Sequence, residues 1–512
     1  MQGMNFTHGL TLLRERQATV LRAIAMVLVV LSLTASLLLL TRHTHLGGPG
    51  DQLMYYTQAA QLLPFTDHFY GPGYFVGLRL VHDLLGVEWF TAARILSWIS
   101  GCVFIYLCHL LFRRLLEPPM NWLALGLVAA NPTFISESYG STTILFGAVW
   151  LIAGIVATVY SDAKSRKIWL LGGLFFGIAF LTRFQALGFF LGASVGVLFV
   201  TQTSFSRRVS NLGSMLAGFA LPVIGWYVFL QLSQGFIPQN HNFVHLTHAM
   251  GKFDWDYEHL ITTYGSAFGV LRSEGAAMAL TKATIKETLK FPFTLGFQLL
   301  FICAGWLLPG LMAMASNRHS WAPWFFAFLS GLVITGLGIG ALGWVWYYLP
   351  VLPFAAIVIS YGAQALSRGA NAMLVPLQAV VMLASTVLWS PVMVHNGFET
   401  TDWPEWSQAR EYLQTHAKPT DLVSSTAGSL PYATTFRFVD RDEFIKPGDE
   451  GELIQRLRAH GVTYLVLTER HGYTNFPSLQ YLLADDLPEL PKGFARELLI
   501  KKPKRVAIYH IF

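Results

Sequence analysis

Apolar stretches long enough to cross a lipid bilayer recur along this sequence from residue 20 to residue 394. The hydrocarbon core of a bilayer is about 30 Å thick, and roughly 20 apolar residues in a helix span it. Only 12% of the residues are charged, which is about half the fraction found in soluble domains. The sequence therefore predicts a polytopic, all-α membrane protein and excludes a soluble globular fold.

We predict about eleven transmembrane spans from the apolar stretches. Lys and Arg fall in every second short loop, which places the N-terminus in the cytoplasm by the positive-inside rule. The predicted spans are 20–41, 89–112, 121–136, 141–160, 168–182, 184–201, 209–232, 292–315, 321–341, 344–365 and 371–394.

The predicted topology divides the chain into two domains. Residues 1–394 form the transmembrane domain, with two large outward loops at 42–88 and 233–291. Residues 395–512 are more polar and combine predicted helices with β-rich runs, which indicates a small extracytoplasmic α/β domain of normal size. Its predicted elements are a helix at Pro404–Ala417, a helical stretch at 452–460, and strands at 422–423, 463–467 and 505–511.

The cysteines and the net charge limit the kinds of site and partner that we expect. The three cysteines, Cys102, Cys108 and Cys303, lie in apolar runs without metal or disulfide spacing. The net charge of +6 comes from basic residues scattered over the loops, so no nucleic acid partner is expected. The expected partner is the lipid bilayer.

Asp51 is the candidate general base. It follows a bend, Leu46-Gly47-Gly48-Pro49-Gly50, that ends the first span. A carboxylate beside a bilayer is partly desolvated, which raises its basicity. The alternative is a helix N-cap for the amphipathic stretch 52–63, since Asp is a preferred cap residue.

Two arginines and one further acid lie at predicted outer ends of spans. Arg183, at a tight turn, is a candidate to bind the phosphate of a lipid-linked donor, and Arg94 is a similar candidate. The alternatives are a snorkelling side chain for Arg183 and an interfacial anchor for Arg94. Glu137 is a candidate second acid, or else a solvated turn residue.

A cluster of histidines and a cluster of lysines in the loop 233–291 are further candidates for ligand binding. His241, His245 and His248 share a helical face as metal ligands would, but no Glu follows the first His as a zinc-peptidase motif requires. We therefore interpret them as part of an acceptor-facing polar loop, with a divalent metal site as the alternative, and expect no required metal or other cofactor. Lys282, Lys286 and Lys290 recur at helical spacing, where they contact lipid phosphate or stay solvated.

The motifs together resemble the GT-C superfamily of membrane glycosyltransferases, in its protein O-mannosyltransferase and aminoarabinose transferase branch. The resemblance covers residues 1–394 and rests on six segments in the family's order. These are Asp51 with the following 52–60, Gly71-Pro72-Gly73-Tyr74-Phe75, Ala93-Arg94-Ile95-Leu96-Ser97, Asn131-Pro132, Gly177 to Arg183, and Tyr347-Tyr348-Leu349-Pro350 with Pro353.

The chain departs from the family pattern at four positions. Gln52 stands where mannosyltransferases have Glu, and Gly71 stands where aminoarabinose transferases have Lys. Thr143, with Thr142, replaces an acid at the start of the fourth span, and Tyr347 replaces a late Arg. These departures leave the sugar and the acceptor open.

The resemblance implies an inverting glycosyltransferase that uses a polyprenyl-phosphate sugar. Asp51 would deprotonate the hydroxyl of a glycan, lipid or protein acceptor outside the cytoplasm. Arg94, Arg183, Tyr55, Tyr70, Tyr347 and Tyr348 would contact the donor phosphate or sugar. Tyr347 and Tyr348, with Trp344 and Trp346, also fit an interfacial aromatic belt.

The alternatives are a lipid or sugar transporter or flippase, and a non-catalytic scaffold with the same fold. The broken helices and internal repeats typical of transporters are not evident in the sequence. The outward loops contain no Asn-x-Ser/Thr glycosylation sequon, which favours a bacterial inner membrane.

Overall fold

The computed structural model describes most of the chain, with six gaps of ten or more residues and several shorter ones. The described residues are 2–42, 52–67, 70–140, 142–160, 165–199, 203–239, 246–247, 250, 257–283, 285–286, 310, 312, 322–338, 345–366, 384, 404–425, 437–439, 450–469, 481–487, 490, 492–502 and 504–512.

These residues form two compact units. The first comprises Met1–Leu40, Gln61–Gly77 and Arg94–Val394, and the second comprises Thr41–Ala60, Leu78–Ala93 and His395–Phe512. The predicted domain boundary at residue 394 stays a prediction.

The regular structure of the described residues before residue 400 is helical. In chain order they are α1 Gln2–Arg42, α2 Gln52–Ala60, α3 Pro72–Leu85, α4 Trp89–Leu115, α5 Met120–Ala129, α6 Pro132–Glu137, α7 Thr143–Tyr160, α8 Arg166–Thr182, α9 Ala186–Leu198, α10 Phe205–Gln234, α11 Tyr257–Tyr264, α12 Ala267–Arg272, α13 Ala322–Gly338, a 3₁₀ helix Val345–Val351, and α14 Leu352–Leu366.

Five described segments are helical, long and apolar enough to cross a membrane, so the chain is a multi-pass membrane protein. They are Glu15–Leu40, Trp89–Leu115, Thr143–Tyr160, Phe205–Gln234 and Tyr347–Ala365. Shorter apolar helices occur at Met120–Ala129, Ala186–Leu198 and Trp324–Val333. The number of about eleven spans stays a prediction, since the predicted spans 292–315 and 371–394 lie almost wholly outside the described residues.

The helices are interrupted at Asn131, where the local cause is clear, and at Arg183, where a break was predicted. The predicted span 121–136 is divided at Asn131, whose side-chain oxygen accepts hydrogen bonds from the backbone N–H groups of Thr133 (2.9 Å) and Phe134 (3.3 Å). Pro132 then starts α6 at the position where a missing N–H costs nothing. The predicted break at Arg183 is confirmed, because α8 ends at Thr182 and Arg183 is extended.

Close helix packing in the first unit depends on small residues. A Cβ on Gly173 of α8 would lie 2.0 Å from the carbonyl oxygen of Met215, and one on Gly218 of α10 would lie 2.0 Å from that of Leu170. The two helices therefore approach backbone to backbone, as membrane helices with small interfacial residues do.

Contacts of basic side chains link neighbouring helices near both ends of α4. At one end, Arg22 stacks on Trp122 at 5.5 Å and Arg114 on Tyr160 at 5.8 Å. At the opposite ends of α1 and α4, Arg94 donates to the carbonyl of Leu39. The predicted topology, including the side that faces the cytoplasm, stays a prediction.

The chain after residue 400 forms a five-stranded mixed sheet with helices. Helix α15 spans Pro404–His416 and α16 spans Glu450–Ala459, while the strands are β1 Leu422–Ser425, β2 Arg437–Val439, β3 Val462–Thr468, β4 Phe494–Ile500 and β5 Val506–Ile511. The strand order is β2-β1-β3-β5-β4, in which β1 runs parallel to β2 and β3, and β5 runs antiparallel to β3 and β4.

Alternating strand residues build a core on each face of this sheet. Tyr464 and Val466 pack with α15, whereas Leu465 and Leu467 pack with Leu457 of α16. The predicted helices and three of the strands are confirmed. Sequence analysis missed β2, which is only three residues long, and β4, whose charged residues obscure the alternation.

Candidate functional site

Arg183 lies where the ends of several segments of the first unit meet. It follows α8 in an extended conformation, and its guanidinium donates a hydrogen bond to the hydroxyl of Thr143, the first residue of α7. Its Cζ atom lies 5.3 Å from the ring centre of Tyr70 and 4.6 Å from that of Tyr347, within cation–π distance of both. A fixed cation with two aromatic neighbours is suited to binding an anionic group.

The turn that carries Tyr70 packs directly on the end of α8. A Cβ on Gly71 would lie 2.0 Å from the carbonyl oxygen of Leu181, and one on Gly73 would lie 2.3 Å from the hydroxyl of Thr182. No side chain fits at Gly71 unless the backbone moves. This contact gives the physical reason for one departure from the family pattern, the glycine in place of lysine.

Glu137 is a buried acid that is hydrogen-bonded to Thr142, the neighbour of the Thr143 to which Arg183 donates. It ends α6, is only 7% exposed, and accepts a hydrogen bond from the Thr142 hydroxyl. Burial raises the pKa of the Glu137 carboxyl to about 7, and the Thr142 hydrogen bond and the Arg183 charge oppose that shift. The alternative of a solvated turn residue is wrong, because the side chain is buried.

Arg94 is also buried but binds backbone carbonyls. At 6% exposure it donates to Leu39 at 2.8 Å and to Tyr139 at 3.3 Å. These contacts join α1, α4 and the segment before α7. Phosphate binding by Arg94 stays a prediction.

Sequence analysis missed three polar residues around Arg183. Thr142 was noted only as the absence of an acid. Gln185 donates to the Thr335 hydroxyl at 2.6 Å and to the Tyr347 carbonyl at 3.0 Å. Asp67, 7% exposed, accepts a hydrogen bond from the backbone N–H of Tyr70 at 2.7 Å. The separation of 150 residues between Gln185 and Thr335 explains why no local pattern revealed this contact.

The remaining predicted catalytic, donor-binding and metal-binding residues are either outside the described part of the chain or buried. Asp51, His241, His245 and His248 lie outside the described residues, so the roles given to them stay predictions. Tyr55 is buried in the second unit, and Tyr348 is buried at 3% exposure in the first. Among the residues that the structure describes, no group of three or more His, Cys, Asp and Glu is placed to hold a metal ion.

Part of the chain matches a known protein family. Residues 70–226 match the family model described as dolichyl-phosphate-mannose-protein mannosyltransferase. That segment contains Tyr70, Glu137, Thr143 and Arg183. No curated protein sequence matches the chain significantly.

Solved structures share the fold over nearly the whole chain. ArnT from Cupriavidus metallidurans, bound to undecaprenyl phosphate, has a TM-score of 0.61 at 14% identity, and the match covers 96% of this chain and 97% of that one. The oligosaccharyltransferase of Archaeoglobus fulgidus, in complex with Zn and sulfate, has a TM-score of 0.53 at 12% identity, covering 94% and 73%. The archaeal oligosaccharyltransferase AglB from the same organism, in complex with an inhibitory peptide and a dolichol-phosphate, has a TM-score of 0.50 at 12% identity, covering 87% and 69%.

The chain thus shares the fold of these membrane proteins. The resemblance to the protein O-mannosyltransferase and aminoarabinose transferase branch, inferred from motifs over residues 1–394, is confirmed by the family match over residues 70–226 and by the fold shared with ArnT.

Proposed function

We propose that this chain is an integral membrane glycosyltransferase that moves a sugar from a polyprenyl-phosphate donor to a hydroxyl of an extracytoplasmic glycan, lipid or protein. The observation that carries the proposal is the position of Arg183 between the ends of membrane helices, in contact with Thr143 and within reach of Tyr70 and Tyr347. ArnT and AglB, which share the fold, were solved with undecaprenyl phosphate and a dolichol-phosphate.

Arg183 has the chemistry to bind the donor phosphate. Its guanidinium is always charged and presents several N–H donors in one plane. As the sugar leaves, negative charge grows on the phosphate, and a cation already in place stabilises that charge without reorganising. Tyr70 and Tyr347 supply aromatic faces next to this cation, where a sugar ring or the guanidinium itself stacks.

Asp51 is the proposed general base. It takes the proton of the acceptor hydroxyl, whose oxygen then attacks the anomeric carbon. The bond between that carbon and the phosphate oxygen breaks, its electron pair stays on the phosphate, and polyprenyl phosphate leaves. Configuration at the anomeric carbon is inverted because the attack comes from the face opposite the leaving group.

Glu137 is the proposed second acid. When it is ionised, its negative charge weakens the attraction between the Arg183 guanidinium and the donor phosphate. Its carboxyl is close enough for the Arg183 charge to affect its pKa. An ionised Glu137 would partly neutralise the cation that binds the donor, whereas a protonated Glu137 leaves it available.

We further propose that the reaction requires no divalent metal, because the leaving group is a monophosphate beside a fixed cation.

The chain would carry out this reaction in a bacterial inner membrane, with the N-terminus in the cytoplasm and the C-terminal sheet outside. Membranes containing the protein, supplied with a series of radiolabelled polyprenyl-phosphate sugars, test the proposal. We expect one donor to pass its label to an acceptor, and Asp51→Asn to abolish this transfer. Undiminished transfer by Asp51→Asn would show that Asp51 is not the base. Movement of intact donor across the membrane without cleavage of the sugar–phosphate bond would indicate a flippase instead.

A further inference from the structure

The two tyrosines that contact Arg183 are each hydrogen-bonded to a buried polar side chain. Tyr70 is bound through its backbone N–H to Asp67, and Tyr347 through its carbonyl to Gln185. Asp67 is 7% exposed and Gln185 is 9% exposed. Neither side chain belongs to a family motif that the sequence shows.

Asp67 fixes the backbone of Tyr70, the residue before Gly71. Its Oδ1 atom accepts a hydrogen bond from the Tyr70 N–H at 2.7 Å. The segment before it is also held in place, because Phe65 exchanges two hydrogen bonds with the side chain of Gln234 in α10, at 2.7 and 3.1 Å. Phe65 also packs edge-on against Trp226. The Tyr70 backbone therefore has fixed supports on both its N-terminal side and, through Gly71, its C-terminal side.

Gln185 fixes the 3₁₀ helix Val345–Val351. Its amide nitrogen donates to the carbonyl of Tyr347 at 3.0 Å and to the hydroxyl of Thr335, in α13, at 2.6 Å. Gln185 lies two residues after Arg183 in the same turn. The amide thus ties the Tyr347 backbone to the segment that carries the guanidinium.

We propose that Asp67 and Gln185 are positioning residues that hold Tyr70 and Tyr347 against Arg183, and so set the orientation of the guanidinium toward a lipid-linked phosphate. This inference rests on the proposed function, in which Arg183 binds the donor phosphate. A guanidinium binds phosphate best through two parallel N–H groups, which demands a defined orientation of its plane. Two ring faces whose backbones are hydrogen-bonded in place supply that orientation at little entropic cost on binding.

The chain offers a matched control at each position. Asp67→Asn keeps an oxygen at Oδ1 that accepts from the Tyr70 N–H, whereas Asp67→Ala removes it. Gln185→Leu removes the bond to Tyr347, whereas Thr335→Val removes only the other partner of the same amide.

The experiment measures the Kd of undecaprenyl phosphate for the purified full chain in lipid nanodiscs, with the melting temperature of each variant recorded. Loss of a hydrogen bond that positions a charged group should weaken binding about fivefold. We expect this loss in Asp67→Ala and Gln185→Leu, and an affinity within about twofold of the wild type in Asp67→Asn and Thr335→Val. Wild-type affinity in Asp67→Ala and Gln185→Leu would overturn the inference, and so would equal losses in Asp67→Asn and Asp67→Ala.

A double-mutant cycle separates this role from a purely structural one. If Gln185 acts through Arg183, Gln185→Leu should weaken binding no further in an Arg183→Ala background, and a fully additive loss would contradict the inference. Failure of the proposed function gives a different result, because Arg183→Ala alone would then bind undecaprenyl phosphate as tightly as the wild type.

Discussion

Gly71 lies so close to Leu181 that a Cβ atom at position 71 would be 2.0 Å from the Leu181 carbonyl oxygen. The contact joins the first loop to the end of α8, one residue before Thr182 and two before Arg183. It places Tyr70 next to the guanidinium. The geometry of the site therefore depends on a residue that has no side chain.

Gly71→Ala should destabilise the protein and weaken donor binding, because the clash is with backbone and forces the turn or α8 to move. Overpacking of this kind costs about 1–3 kcal/mol, and we expect a lower melting temperature together with a higher Kd for undecaprenyl phosphate. Gly213→Ala in α10 is the control, since no atom lies within 4 Å of its added Cβ and alanine is favoured over glycine in a helix. A Gly71→Ala protein as stable as Gly213→Ala would disprove the close contact.

Donor binding should weaken as the pH rises from 6 to 8. Because burial raises the pKa of Glu137 to about 7, the carboxyl is mostly protonated at pH 6 and mostly ionised at pH 8. The ionised form repels the donor phosphate by about 1 kcal/mol, or roughly a fivefold loss of affinity. Burial raises the pKa of the neighbouring Tyr139, which stays protonated throughout. Arg94 and Arg183 stay charged.

The measurement is the Kd of a polyprenyl-phosphate sugar at each pH. A phosphodiester is needed because a phosphate monoester itself gains charge near about pH 6. Glu137→Gln should give an affinity that does not change with pH and that matches the wild-type value at pH 6. A Glu137→Gln protein with the same pH dependence as the wild type would show that another group titrates.

The end of the helix bundle that carries Arg183 should face outward. The test uses a variant in which Cys102, Cys108 and Cys303 are replaced. A single cysteine introduced at position 51, or in place of the exposed Lys501 next to β4, should react with a membrane-impermeant maleimide in intact cells. A cysteine at the exposed Lys167, at the start of α8, should react only after permeabilisation. The reverse pattern would invert the topology.

Chelation of divalent metals should leave sugar transfer unchanged. The proposed leaving group is a monophosphate stabilised by Arg183, so EDTA-treated protein should keep its rate within about twofold. Loss of activity on EDTA treatment, with recovery on addition of Mg²⁺ or Mn²⁺, would show that a metal takes part.

Sequence analysis predicted the features that depend on short stretches of chain. Apolar length predicted the membrane helices, the tight turn at Arg183 predicted the break between α8 and α9, and β-rich runs predicted β1, β3 and β5. Glu137 and Arg183 were found because an ionisable group at the end of an apolar run is unusual.

The contacts that organise the site join residues far apart in the chain, which no local pattern reveals. Gln185 meets Thr335, and Gly71 meets Leu181, only once the helices are packed. Glu137 is likewise buried only once the helices are packed. Its local sequence, a short turn rich in Ser, is normally exposed. Asp67 carries no local signal either, because an Asp in a loop is typical of an ordinary turn.

The most direct test of the proposed function is a turnover measurement on the purified chain in nanodiscs with its donor and acceptor. Released polyprenyl phosphate and transferred sugar are quantified together, for the wild type and for Asp51→Asn. We expect equal amounts of the two products from the wild type. Asp51→Asn should be slower by about 100-fold or more, while binding undecaprenyl phosphate with unchanged affinity. An Asp51→Asn protein that releases both products at the wild-type rate would contradict the proposal that Asp51 is the catalytic base.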